Sequence, residues 1–336
     1  MLILGIESTC DETGVALVKD GRTILKNVIS SSVPLHKEYG GVIPEIAARE
    51  QIKIIIPLIE QAIESVPISQ IDAIAVSYGP GLIGSLLIGV ETAKTLAVAW
   101  NKKLIAVNHL VGHFYAAWLS ADKLPKFPIV GLIVSGGHTD LLFFENHSKF
   151  KHLGGTNDDA AGEAFDKIAR FLGLGYPGGP EIELAARKFE IHNTKFETKQ
   201  IFFPRPMINS QDFSFSFSGL KTSVVNYVMK NDIKSKSDIA KVAYYFQEAA
   251  VDVLVSKTIK AAKKYNAKSI VVGGGVAANN KLRSQLIVHS SLIGIKTFFP
   301  LKNLSVDNGA MIASAAFFHQ NFVDPLTLTA DPSLYF

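Results

Sequence analysis

His109 and His113 stand four residues apart in the stretch VNHLVGHFYAAW, residues 107–118. On a helix that spacing puts both imidazoles on one face, close enough to share a metal ion. A zinc peptidase built on such a pair needs glutamate directly after the first histidine as general base. Leu110 holds that place, so the pair does not predict peptide hydrolysis. A third ligand must come from elsewhere, and Asp307, in SVDNGAMIA at a turn ahead of an apolar helix, is the attractive carboxylate. Aspartate at such a turn also reads as an ordinary helix N-cap. With nine histidines in the chain, a helix-surface pair without metal is the competing interpretation.

Glycine-rich tips form the second group. VSGGHTD (134–140) and VVGGGVAAN (271–279) each follow a strand pattern, and GPGLIGS (79–85) leads into a helix. Glycine lets backbone amides approach a phosphate or acyl group, and Asn279 falls at a helix start suited to a nucleotide. None is a Walker A loop, because no GK[ST] follows. Asp159, Glu163 and Asp166 fall at i, i+4 and i+7, a line of carboxylates able to meet ribose hydroxyls, or simply a solvated helix face. In FSFSFSGLKTS (213–223) the alternation predicts a strand with phenylalanines inward, and Lys221 is placed to reach a phosphate.

The elements that position these groups follow from hydrophobic period. Residues 2–6, 15–18 and 23–30 read as a meander whose first tip is the polar run ESTCDETG, residues 7–14. An amphipathic helix over 44–65, a strand over 71–77, a helix to about 100 and a strand over 104–107 lead to the histidine-bearing helix. The pattern then restarts: strands over 128–134 and 140–145 flank the polar tip SGGHT, and helices follow near 160–172, 181–189 and 237–266. A short strand at 269–272 and an apolar helix over about 308–321 complete the chain. Two strand–tip–strand units suggest a duplication that would bring both polar tips to one cleft, with SADKLPKF (120–127) as the connection.

Composition bounds the class. The 336 residues are 48% hydrophobic and 19% charged, which describes a globular chain with one large domain or two lobes. The net charge of +4 is compatible with a polyanionic partner but does not demand one. A single cysteine, Cys10, excludes an intramolecular disulfide and points to a reducing compartment. No stretch has the length of a membrane span and the first residues read as a strand rather than a signal, so a cytoplasmic protein without membrane attachment is expected.

In this order, GIESTCDETGVALV, HKEYGGVIPEIAARE, GPGLIGSLLIGVETAKTLA with VNHLVGH, VSGGHTDL, DDAAGEAFDKIARFLGLGYPGGPEIE, FSFSGLKTS, GGGVAANNKLR and DNGAMIA resemble the tRNA adenosine threonylcarbamoyltransferase family over nearly the whole chain. The resemblance implies an α/β, two-lobed actin-like ATPase fold with duplicated mixed-sheet subdomains. The lobes would be residues 1–108 and 109–307, with the helix at about 308–322 packing back on the first. It implies transfer of the threonylcarbamoyl group of threonylcarbamoyl-AMP to N6 of adenosine 37 in tRNAs reading ANN codons. One divalent metal, iron or zinc, would be held by His109, His113 and Asp307. The run Ile133, Val134, Ser135, Gly136 and Gly137 would hold the substrate, with Asp166, Gly179 and Glu183 at the ribose and Asn279 near the adenine. Glu183 stands where many relatives have Asp, and Gln51 where relatives often have His. Implied partners are tRNA, a TsaB-type paralogue in a heterodimer, a TsaE-type ATPase and a threonylcarbamoyl-AMP synthase upstream.

The donor is a mixed anhydride, already a good electrophile, so the protein mainly has to bring up a weakly nucleophilic amine and neutralise developing charge. Asp11 and Glu12 are the candidates for accepting the amine proton or placing the substrate. A sugar or acetate kinase of the same superfamily is the alternative; it has no use for a His109–His113–Asp307 set.

Overall fold

Apolar runs broken by a polar tip make the first hairpin. Strands β1 (Leu2–Glu7) and β2 (Glu12–Lys19) pair antiparallel, with Glu7 opposite Gly14. β3 (Thr23–Ser31) follows the turn at Asp20 and Gly21, whose φ of 54° and 67° suit a tight hairpin. This is a computed structural model, and it describes residues 1–36, 39, 41–192 and 200–336. A single turn α1 (Val33–His36) precedes α2 (Pro44–Ile63), which begins on a proline whose missing N–H costs nothing at that position. Then come β4 (Ala73–Gly79), α3 (Ile83–Ala99), β5 (Lys103–Asn108) and α4 (His109–Tyr115).

The second meander is β6 (Ile129–Val134), β7 (Thr139–Asn146) and β8 (Lys149–Gly155). It is followed by α5 (Ala161–Phe171), α6 (Gly178–His192), α7 (Ser218–Lys230), α8 (Lys236–Lys264), β9 (Ser269–Gly273), α9 (Asn280–Ser291) and β10 (Lys296–Phe298). The chain closes with α10 (Gly309–His319) and β11 (Phe322–Val323). One sheet has the order β11-β5-β4-β1-β2-β3 and the other β10-β9-β6-β7-β8. β1 lies parallel to β4, and β6 parallel to β9. The orders β3-β2-β1-β4 and β8-β7-β6-β9 are therefore the same unit built twice, the duplication expected from the two polar tips.

Two compact units result, residues 1–125 with 145–149 and 298–336, and residues 126–144 with 150–297. These boundaries differ from the expected 1–108 and 109–307, and packing explains why. α10 is buried at eight of its eleven positions and lies on β1, β2 and α4, which draws the histidine helix and the segment before α10 into the first unit. Glycines make that approach possible. A Cβ on Gly5 would overlap the Gly309 carbonyl oxygen and lie 2.7 Å from the Ala313 nitrogen.

Residues 213–217 do not form the expected strand. Phe213, Phe215 and Phe217 do turn inward, but Phe215 makes only an isolated bridge with Thr156. Asp158 accepts from the amides of Phe217 (2.8 Å) and Ser218 (3.3 Å), which starts α7 instead. No helix among the described residues is long and apolar enough to cross a membrane.

Candidate functional site

In α4 the side chain of Asn108 accepts from the amides of Leu110 (2.8 Å) and Val111 (3.4 Å), so the helix starts at His109 and both imidazoles share a face. Their ring centroids are 4.6 Å apart. Asp307 is not the cap of α10; the side chain of Asn308 accepts from Met311 at 3.0 Å and does that work. The Asp307 carboxylate faces the imidazoles, with Oδ1 3.1 Å from His113 Nε2 and 3.7 Å from His109 Nε2. All three ligand atoms lie within 4.8 Å of one another. Donors about 2.1 Å from a tetrahedral metal sit about 3.4 Å apart, so the spacing fits a cation. Both nitrogens of His113, which is 1% exposed, lack a hydrogen bond among the described residues, and Nε2, the one facing Asp307, fits a ligand role.

Behind this triad lies a residue that sequence reading passed over within a polar tip. Glu7, wholly buried, accepts from His109 Nδ1 at 2.9 Å and from the Thr9 amide at 2.7 Å. Burial alone would lower the pKa of His109, but the carboxylates of Glu7 and Asp307 outweigh it and raise the value to about 9 from 6.5. A folded value above the unfolded one stabilises the metal-free fold fully below pH 6.5, and the contribution disappears as pH rises through 9. Thermal unfolding of the chelator-treated protein is therefore expected to lose about 3 kcal/mol across that window. A His109→Gln variant should lack the decline, and an identical decline in that variant would assign it to another group.

Asp11 ends the tip between β1 and β2, and Glu12 is the first residue of β2. Gln51 of α2, 1% exposed, donates from Nε2 to the carbonyls of Cys10 (2.9 Å), Glu12 (3.3 Å) and Ser8 (3.4 Å), and Ser85 Oγ donates to Cys10 at 3.2 Å. The tip is thus pinned from two helices. Burial, with the charges of Asp11 and Asp307, pushes Glu12 far above the usual carboxylate range. Burial and the same carboxylates also keep the Cys10 thiol protonated, so it is a poor nucleophile.

In the second unit, Ile133 and Val134 are wholly buried strand residues, so only their main chain could meet a ligand. Gly274, at φ 92°, covers the Val134 carbonyl. The Ser135 amide donates to the His138 carbonyl at 2.8 Å, closing the turn and leaving Gly136 and Gly137 as the amides to present. A Cβ on Gly136, Gly137, Gly179 or Gly275 would have nothing within 4 Å, so each faces open space.

The carboxylates of the acidic line have separate protein partners. Asp159 lies ahead of α5 and is paired with Lys167 (2.7 Å) and with Lys221, the lysine placed by sequence to reach a phosphate. Glu163 also pairs with Lys167, at 2.7 Å. Asp166 accepts from the Gly178 amide at 2.7 Å and shapes the loop that leads to Gly179. Glu183 accepts from the Asn280 amide at 3.1 Å and from its side chain. Asn279 donates to Gln247 (2.9 Å) and caps α9 by accepting from Leu282 (2.9 Å). These three side chains hold the loops around the open glycines.

The family model for tRNA N6-adenosine threonylcarbamoyltransferase matches residues 23–314. Proteins of that name from Syntrophomonas wolfei (48% identical over 99% of this chain and 97% of that one) and Kosmotoga olearia (50%, over 94% and 93%) are similar throughout. Among solved structures, component A of the Acidaminococcus fermentans (R)-2-hydroxyglutaryl-CoA dehydratase is 16% identical with a TM-score of 0.53, covering 94% of this chain and 98% of that one. Full-length HypF in its phosphate- and nucleotide-bound form is 14% identical with a TM-score of 0.60, over 94% of this chain and 55% of that one. These likenesses show the actin-like ATPase fold. With the family model spanning most of its length and relatives near half identity, the chain belongs to the tRNA N6-adenosine threonylcarbamoyltransferase family and is a transferase.

Proposed function

We propose that the His109–His113–Asp307 centre and the open glycines of the second unit serve one reaction: transfer of the threonylcarbamoyl group of threonylcarbamoyl-AMP to N6 of adenosine 37 in tRNAs reading ANN codons. The observation that carries this reading is the convergence of two buried imidazoles and a carboxylate on ligand atoms within 4.8 Å of one another. A divalent ion, iron or zinc, held there supplies Lewis acidity toward the threonylcarbamoyl carbonyl. Gly136 and Gly137 donate main-chain N–H groups to the donor, and Gly179 leaves room for the ribose, with Asp166, Glu183 and Asn279 shaping the loops. The N6 amine attacks the carbamoyl carbon, the carbon–oxygen bond to the phosphate breaks, and AMP leaves with the electron pair. Asp11 takes the proton that the amine loses, while Glu12, held neutral, cannot compete for it.

The reading is tested by incubating the protein with threonine, bicarbonate, ATP, a threonylcarbamoyl-AMP synthase and unmodified tRNA, then analysing nucleosides. Adding or omitting a TsaB-type paralogue and a TsaE-type ATPase assigns the partners, and the cytoplasm is the compartment where all of these meet. Absence of N6-threonylcarbamoyladenosine with every component present overturns the reading. Asp11→Asn is expected to lower turnover about a hundredfold while adenylate affinity is kept, the scale of general-base catalysis. Unchanged turnover would remove Asp11 from that role.

A further inference from the structure

We propose that Glu7, which touches no ligand atom of the centre, sets its metal affinity by holding His109 with the proton on Nδ1 and Nε2 turned toward Asp307. The inference rests on the metal reading above. Glu7 ends β1 and is 0% exposed, a place where a carboxylate survives only if its oxygens are bonded. Both are: Oε1 accepts from the Thr9 amide at 2.7 Å, and Oε2 faces His109 Nδ1 at 2.9 Å. Thr9 Oγ1 lies 3.2 Å from the same nitrogen. A carboxylate oxygen can only accept, so Nδ1 keeps its proton toward Glu7 and Nε2 is the nitrogen whose proton a metal would displace. His113 has no such partner at Nδ1 among the described residues. The pre-orientation of the pair therefore depends chiefly on Glu7, from a strand far away in sequence, with the Thr9 hydroxyl the more distant neighbour of the same nitrogen.

Glu7→Gln keeps the shape but offers one acceptor and one donor. The Thr9 amide takes the acceptor, the carboxamide NH2 then faces Nδ1, and the imidazole proton moves to Nε2, where it blocks coordination. The zinc dissociation constant, measured on the full chain by competition with a chromophoric chelator, is expected to rise about 10- to 100-fold. A carboxylate that only anchored the Thr9 amide would leave that constant alone, so a value within twofold of wild type in a folded variant overturns the proposal. Should the variant fail to fold, nitrogen-15 spectra of zinc-loaded wild type decide the matter. Protonated Nδ1 on His109 supports the proposal and protonated Nε2 overturns it. If wild type takes up no zinc or iron at all, the metal reading itself falls and takes this inference with it.

Discussion

His113→Ala is expected to lower threonylcarbamoyl transfer by about a thousandfold and to leave the purified protein without stoichiometric metal. His113 is 1% exposed and its Nε2 sits 3.1 Å from Asp307 Oδ1, so its loss leaves one imidazole and one carboxylate. Catalytic zinc sites keep three protein ligands, and two hold the ion too weakly to survive purification. Lewis-acid assistance is worth several kcal/mol, and each 1.4 kcal/mol is a factor of ten. Among the described residues the change removes no hydrogen bond of either imidazole nitrogen, only the 3.1 Å approach of Nε2 to Asp307, so the fold should tolerate it. Elemental analysis beside nucleoside analysis of tRNA separates the outcomes. A metal-free variant with wild-type turnover would dismiss the centre from the chemistry.

Gly5→Ala is expected to destabilise the first unit by about 3 kcal/mol or more, lowering its melting temperature by on the order of 10 °C. The new methyl would overlap the Gly309 carbonyl and stand 2.7 Å from Ala313 N and 2.9 Å from Ala313 Cβ. Those are atoms of α10, and β1 cannot retreat because β2 and β4 hold it on both sides. The fit is reciprocal, since a Cβ on Gly309 would come within 2.5 Å of the Gly5 oxygen and 2.6 Å of Ala16 N. Asp307 lies two residues ahead of Gly309, so pushing α10 outward also pulls the carboxylate from the imidazoles. Zinc affinity should fall together with stability, measured by thermal melting and chelator competition. A variant as stable as wild type would mean that helix and sheet can separate without cost.

Local information placed most of the elements and singled out three candidate ligands. The i,i+4 imidazoles follow from helix period, and the repeated strand–tip–strand pattern from alternation around polar runs. Period says that a face is buried without saying against what. Only the folded chain shows that α10 lies on β1, β2 and α4, which assigns the histidine helix to the first unit and carries Asp307 to His113. The same limit hid Glu7, since a glutamate at the edge of a polar tip looks solvated until a distant imidazole comes to rest 2.9 Å away. The alternation of residues 213–217 told which side chains turn inward but not that Asp158 would take the amides a strand needs. Residue type and spacing therefore brought forward His109, His113 and Asp307 as candidate ligands, because coordination chemistry depends on which atoms are offered. Their approach, and the carboxylate that orients one of them, came from packing between segments far apart in the chain, which no local pattern encodes.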